Sequence, residues 1–456
     1  MTMVSAPAGE FIGVADGPVT RFLGIPYALA PQGDLRFRAP VSRPRLAEPF
    51  RALAAGATPQ VGTPSPFTTI PEPSVAGDDI LTLSVVAPTS SLGSGGLLPV
   101  MVWIHGGGFV TGSPASPWYD GASFARDGVL TVVISYRLGI EGFAHFDDGD
   151  QDANLAMQDW LCALRWVSAN IASFGGDPDR VIIAGQSAGG AAVLALLACP
   201  AAEGSFGGAV SISGIDASNG PEVALRTTQR LAAALGIPPT REAFATVDRM
   251  RLQELAAGWA AAHPEDGALP FAPVHGTALL PAPVSEALGV AGAAVPLLLG
   301  STLDEFDSPG WPELARAAGV DAPPVSALPD GTRITDVLFR ATCARVAATR
   351  AAAAPTWLYS FDWVSPRLRG AGHCIDLPFF FDLLGTDGVE AVFGPNPPQE
   401  LARQMHRDLV EFVQGGPLPW AVARGREDDV ARRYGVDGSH ADASGVYAQH
   451  LSEYPS

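Results

Sequence analysis

The sequence contains no lysine; all 28 of its basic residues are arginine. This excludes a Schiff-base lysine, a phosphate-loop lysine and a Ser-x-x-Lys nucleophile pair. Charge of either sign is scarce, at 16% of residues, and it is unbalanced, with a formal net charge of −19. A chain of that sign repels a polyphosphate backbone, so nucleic acid is not an expected partner. Cysteine is limited to Cys162, Cys199, Cys343 and Cys374, none of them spaced as a metal-binding pair. The first residues show no basic segment followed by an apolar one, and the cysteines are read as reduced thiols of a cytoplasmic protein. Long apolar runs are missing too. The stretches near 191–202 and 288–300 fall short of the ~18 residues of a membrane span, so none is expected.

What is present is a chain of 456 residues, 47% hydrophobic, enough to bury a large core. Apolar runs of strand length occur at 98–104 and 130–135, and 181–184, 210–212 and 296–299 read as further short strands. Such runs fit strands covered on both faces of a mostly parallel sheet. Segments 19–23 and 80–86 are also strand-like, and 54–77 is a Pro/Thr/Ser/Gly-rich linker. Between them, Leu155, Trp160, Ala163, Leu164, Val167 and Ile171 recur at helical spacing, and 188–197 forms a second helical pattern. The βαβ alternation predicts one α/β domain over 1–456. Two Ala-rich stretches, 222–282 and 310–356, read as helical insertions over one end of the sheet. Segment 398–414 is helical again, and the polar tail 439–456 is expected to be poorly ordered.

Two glycine motifs carry chemistry. Gly185-Gln186-Ser187-Ala188-Gly189 fits G-x-S-x-G between a strand and a helix. There a sharp turn exposes the serine, and the flanking glycines tolerate the crowding of strand against helix. His105-Gly106-Gly107-Gly108 follows the strand 98–104. Its glycines let backbone N–H groups approach a substrate oxygen, and the N–H of Ala188 would complete such an oxyanion hole with those of Gly107 and Gly108.

With these residues the chain resembles the type-B carboxylesterases. The likeness extends to Phe22-Leu23-Gly24-Ile25-Pro26-Tyr27-Ala28, to Ser135-Tyr136-Arg137-Leu138-Gly139, to Asn154 and Asp159, and to Phe174-Gly175-Gly176-Asp177-Pro178. It covers about residues 10 to 425 and is most specific between 98 and 214. The resemblance implies an α/β-hydrolase fold, helical insertions over the site, and a serine esterase, whose residue chemistry needs no metal or organic cofactor and whose apolar pocket candidates favour neutral carboxylic esters. It also implies a Ser-Glu-His triad, with Ser187 as nucleophile. Glu305, in Gly300-Ser301-Thr302-Leu303-Asp304-Glu305, matches the acid; Asp304 and Asp307 remain as alternatives expected to be merely solvated. His373, in Gly370-Ala371-Gly372-His373, matches the base, with His105 expected to be structural and His275 set aside. Ser213 matches a family serine beside the acid and base, either as a hydrogen-bond partner or as a structural residue.

The chain also departs from the family. Gln186 stands where many members carry Glu beside the nucleophile, and Ile80 where secreted relatives have a disulfide cysteine. Phe306 replaces a Gly after the acid, and Trp160 a Gln after Asp159. His373 follows Glu305 by only 68 residues, which implies a trimmed insertion between 310 and 356 and a reshaped pocket. Phe109, Trp118, Gln186 and Phe306 are the pocket candidates, with Tyr119 and 379–381 less favoured. Two other readings stay open: a non-catalytic binding domain of the same fold, and a lipase-like hydrolase with Asp as acid.

Overall fold

The run Leu98–Ile104, apolar without alternation, is a central strand whose side chains are covered on both faces. Val100, Val102 and Ile104 enter one core, while Met101 and Trp103 enter the other. The computed structural model describes residues 1–59, 68–149, 152–267, 269–290, 292, 294–317, 333–350, 354–436, 438–448 and 450. Among them the strands are β1 (Thr2–Ala6), β2 (Gly9–Asp16), β3 (Val19–Pro26), β4 (Phe50–Arg51), β5 (Thr82–Pro88), β6 (Leu98–Ile104), β7 (Leu130–Ile134), β8 (Gly176–Gln186), β9 (Gly208–Ile212), β10 (Leu297–Thr302), β11 (Thr356–Phe361), β12 (Val430–Val436) and β13 (Ser439–Ser444).

They form one sheet in the order β1-β2-β3-β5-β7-β6-β8-β9-β10-β11-β12-β13, with β4 beside β2. From β7 to β12 every neighbouring pair is parallel. Parallel strands need crossovers, which put helices on both faces. Leu155–Asn170 and Ala188–Leu197 pack in the core of Val100 and Val102, and Gln399–Val413 in that of Met101 and Trp103. Ile104 pairs with Gly185 across β6 and β8, so the loop after β6 emerges beside the turn after β8. In open α/β sheets this carboxyl edge is where ligands bind.

Below that edge lies a buried ion pair. Asp159 accepts from Arg137 at Nη2 (2.6 Å), Nε (2.8 Å) and the backbone N (3.0 Å), and both side chains are almost wholly buried. The remaining Arg137 donors reach the Arg38 and Leu155 carbonyls, which ties the first loop to the sheet and the helix. Removing one partner would leave an uncompensated buried charge. Asp159→Ala is therefore expected to cost about 3–5 kcal/mol, read from the denaturant midpoint, and a loss below ~1 kcal/mol would show the pair to be dispensable.

The tail differs from the sequence reading. Ser439–Ser444 forms an antiparallel strand on β12, with Arg432 bonded to Asp442 at 2.8 Å, and Tyr447 is buried. An exposed edge strand needs backbone pairing more than apolar side chains, so SHADAS carries no strand pattern. Residues 451–456 lie outside the described ones.

Candidate active site

Ser187 sits between β8 and the helix Ala188–Leu197 with φ 58° and ψ −123°, a conformation L residues rarely adopt. The backbone is held there by Ser187 N–H bonding Ile212 O at 2.9 Å. At Gly189 a Cβ would lie 2.0 Å from Ile104 O, so only glycine lets the helix close onto β6. Ala188 is the first residue of that helix, where an N–H has no intrahelical acceptor. Gly107, at φ +112°, turns the glycine loop toward the same point, and a Cβ on it would lie 2.3 Å from Thr111 O. Gly107, Gly108, Ser187 and Ala188 all border one cavity.

His373 and Glu305 meet there. His373 Nε2 is 2.9 Å from Ser187 Oγ, and Nδ1 is hydrogen-bonded to Glu305 Oε2. Nδ1–H donates to the carboxylate, which leaves the Nε2 lone pair for the serine hydroxyl. Glu305 Oε1 accepts from Thr302 N (2.8 Å), and Thr302 Oγ1 accepts from Glu305 N (3.1 Å). His373 N–H bonds Glu305 O at 2.9 Å, joining the two loops. Both side chains are buried. Burial alone would lower the His373 pKa; the acidic groups beside it, Cys374 and Glu305, outweigh that, and the net direction is upward.

The neighbouring acids are not merely solvated, contrary to the sequence expectation. Asp304 accepts from Ala371 N (2.8 Å) and Arg333 (2.8 Å), and Asp307 accepts from Thr335 N (2.8 Å). They pin the acid loop to the histidine loop and to the helical turn at 335–340, and neither is bonded to the imidazole. His105 is buried, its pKa lowered to about 4 by burial, with Nδ1 on Gly106 O and its ring stacked on Tyr136. Ser213 has φ 47° and a buried hydroxyl without a partner among the described residues, so no bond to acid or base is formed. His275 is bonded through its backbone to Asn219.

The cavity is about 230 Å³ and has no Asp, Glu or Arg among its described lining residues. Gln186 and Phe306 line it, and the Gln186 amide nitrogen is 3.2 Å from His373 Nε2. Phe109 and Trp118 do not. Phe109, at φ 62°, points its ring into the core against Phe143 and Trp160, and Trp118 is buried against Phe393 with Nε1 on Asp387 O at 3.2 Å. Tyr119 and 379–381 also belong to the core. The sequence reading missed Ala256, Ala260, Leu269, Trp311, Leu338 and Phe339, which form much of the wall. Their only signal was helical spacing, which marks an apolar face without saying what it faces.

The model of the family described as the carboxylesterase family matches residues 2–310. The chain belongs to the carboxylesterase family. This carboxylesterase is 34% identical over 441 residues to the para-nitrobenzyl esterase of Bacillus subtilis, covering 89% of this chain and 87% of that protein. It is 32% identical over 454 residues to the phenmedipham hydrolase of Pseudarthrobacter oxydans, covering 90% and 89%. Among solved structures, a thermophilic para-nitrobenzyl esterase superposes with a TM-score of 0.85 at 29% identity, over 98% of this chain and 99% of that one. A Geobacillus stearothermophilus carboxylesterase gives 0.82 at 30% identity over 100% of both chains. The carboxylesterase thus has the α/β-hydrolase fold and is a carboxylic ester hydrolase of the serine type. No helix among its described residues is long and apolar enough to cross a membrane.

Proposed function

We propose that this enzyme cleaves neutral esters with Ser187 as nucleophile, His373 as general base and then acid, and Glu305 as the group that orients and charge-balances the imidazole. The observation that carries the reading is the continuous hydrogen-bond chain from Ser187 Oγ through His373 to Glu305. Ser187 attacks the ester carbonyl as His373 Nε2 takes its proton, and the N–H groups of Gly107, Gly108 and Ala188 receive the oxyanion. His373 returns the proton to the leaving alkoxide, and water, activated the same way, hydrolyses the acyl-enzyme.

An uncharged apolar wall supports neutral esters over ionic ones, since a buried charge there would have no counter-ion. The wall comes largely from the two segments read as insertions on one hydrolase domain: Ala256, Ala260 and Leu269 from 222–282, and Trp311, Leu338 and Phe339 from 310–356. Four buried free thiols support a reducing, cytoplasmic location, which fractionation that recovers the enzyme outside the cytoplasm would overturn.

The likeness to a para-nitrobenzyl esterase makes para-nitrophenyl esters of graded acyl length the natural probes. Only neutral imidazole accepts the Ser187 proton, and the upward shift of His373 delays that form to higher pH. The value of kcat/KM should therefore rise with pH through an apparent pKa above the unperturbed value of about 6.5. His373→Gln should abolish activity and limb together, while His275→Gln keeps both; the reverse pattern would identify a different base.

A further inference from the structure

The Phe306 ring lies over the imidazole of His373, with centroids 4.4 Å apart and planes tilted by 34°. Phe339 stands 5.3 Å from the same imidazole, and Phe306 packs on both Phe339 (5.8 Å) and Trp311 (6.1 Å). Phe306 is half-buried and lines the cavity, so one ring faces both the imidazole and the substrate space. We propose that Phe306 is a positioning residue for His373 and the wall that limits the bulk of the leaving group. The inference rests on His373 being the base.

Two physical arguments converge on it. An aromatic face attracts a cation more strongly than an aliphatic surface of equal area does, so the ring favours imidazolium once the proton has moved. And His373 Nε2 must reach the leaving oxygen to protonate it, so the alcohol part of the ester lies against the imidazole and meets whatever covers it. The other groups around the ring are accounted for. Glu305 holds Nδ1, while the Ser187 hydroxyl and the Gln186 amide are at Nε2. The Cys374 thiol and the Asp376 carboxyl belong to the histidine's own loop, and Asp376 is bonded by Tyr359 at 3.2 Å. Asp304 and Asp307 are bonded by Arg333 and Thr335, and Arg340, on the turn of Phe339, bonds Ser360 and the Val446 carbonyl.

The experiment compares Phe306→Leu, Phe306→Tyr and Phe306→Gly, with folding checked by circular dichroism. Leucine keeps the ring covered but removes the aromatic face, so the acid limb of kcat/KM should move down by roughly half a pH unit to one unit. Tyrosine should leave it in place. Glycine should raise the ratio of kcat/KM for 1-naphthyl over phenyl acetate by about tenfold, the scale of a changed pocket contact. If the glycine variant does not fold, Phe306→Ala takes its place in this comparison. A leucine limb coinciding with the native one, or an unchanged naphthyl-to-phenyl ratio, overturns the proposal. His373→Gln is measured alongside. Activity retained there overturns the base assignment itself, whereas activity lost there with inert Phe306 variants overturns only the present inference.

Discussion

Ser187→Ala should lower kcat by roughly 10⁶, the scale of losing a triad nucleophile, while the fold is unchanged. Alanine carries the same Cβ as serine, so the φ of 58° is no more strained after the change, and the backbone bond to Ile212 O is untouched. What would remain is polarisation by the proposed oxyanion-hole N–H groups of Gly107, Gly108 and Ala188, acting on a carbonyl without any attacking hydroxyl. A phosphonylating reagent should label the native enzyme once, at Ser187, and the variant not at all. Label on another serine of fully active enzyme would contradict the assignment.

Glu305→Gln should lower kcat by about 10⁴, for a reason the geometry supplies. Thr302 N–H donates to Glu305 Oε1, so an amide at this position turns its carbonyl to Thr302 and its NH₂ to His373 Nδ1. Nδ1 must then accept, the imidazole proton moves to Nε2, and Ser187 faces a donor instead of a base. Asp304→Asn instead leaves one carbonyl to accept from either Ala371 N or Arg333, so one of the two pins is lost. With Arg333 partly exposed, that loss should cost about 1 kcal/mol of stability and less than about tenfold in rate. An active Glu305→Gln beside an inactive, folded Asp304→Asn would shift the acid by one residue.

The strands β6 to β10 were readable because parallel strands covered on both faces are largely apolar. The run 98–104 corresponds residue for residue to β6, and 188–197 to the helix behind Ser187. β1, β2 and β13 passed unnoticed, as β13 is almost wholly exposed and β1 and β2 bury only alternate residues; the covered strand β11 passed unnoticed too, its apolar run broken by Thr356 and Ser360. The site divides along a similar line. Ser187 was brought forward by its motif between strand and helix, and Glu305 and His373 by the family resemblance of the segments around them. Phe109 and Trp118 lie close in sequence to the glycine loop, but closeness along the chain does not say where a ring points. A positive φ sends Phe109 into the core. Leu338 and Phe339, more than 100 residues from the serine, reach the cavity because Asp304 and Asp307 hold their helical turn to the acid loop. That coupling leaves no trace in hydrophobic spacing.

The register of the sheet also bears on how the enzyme becomes active. Ser187 and the glycine loop are assembled by β6, β8 and β9, whereas Glu305 and His373 depend on β10 and β11, joined to the first group by the β9–β10 ladder from Ala209 and Leu297 up to the Ser213 N–H bond to Gly300 O. A folding intermediate with only the first group paired would hold an elbow and a strained serine, and give a native-like helix and strand signal, yet have no base to draw a proton from that serine. With His373 as the proposed base, such a species would be silent toward esters and toward serine-directed reagents alike. On the proposed triad, chain that had not closed the β9–β10 seam would carry no hydrolytic activity, and a reactive serine would arise only once that seam is complete.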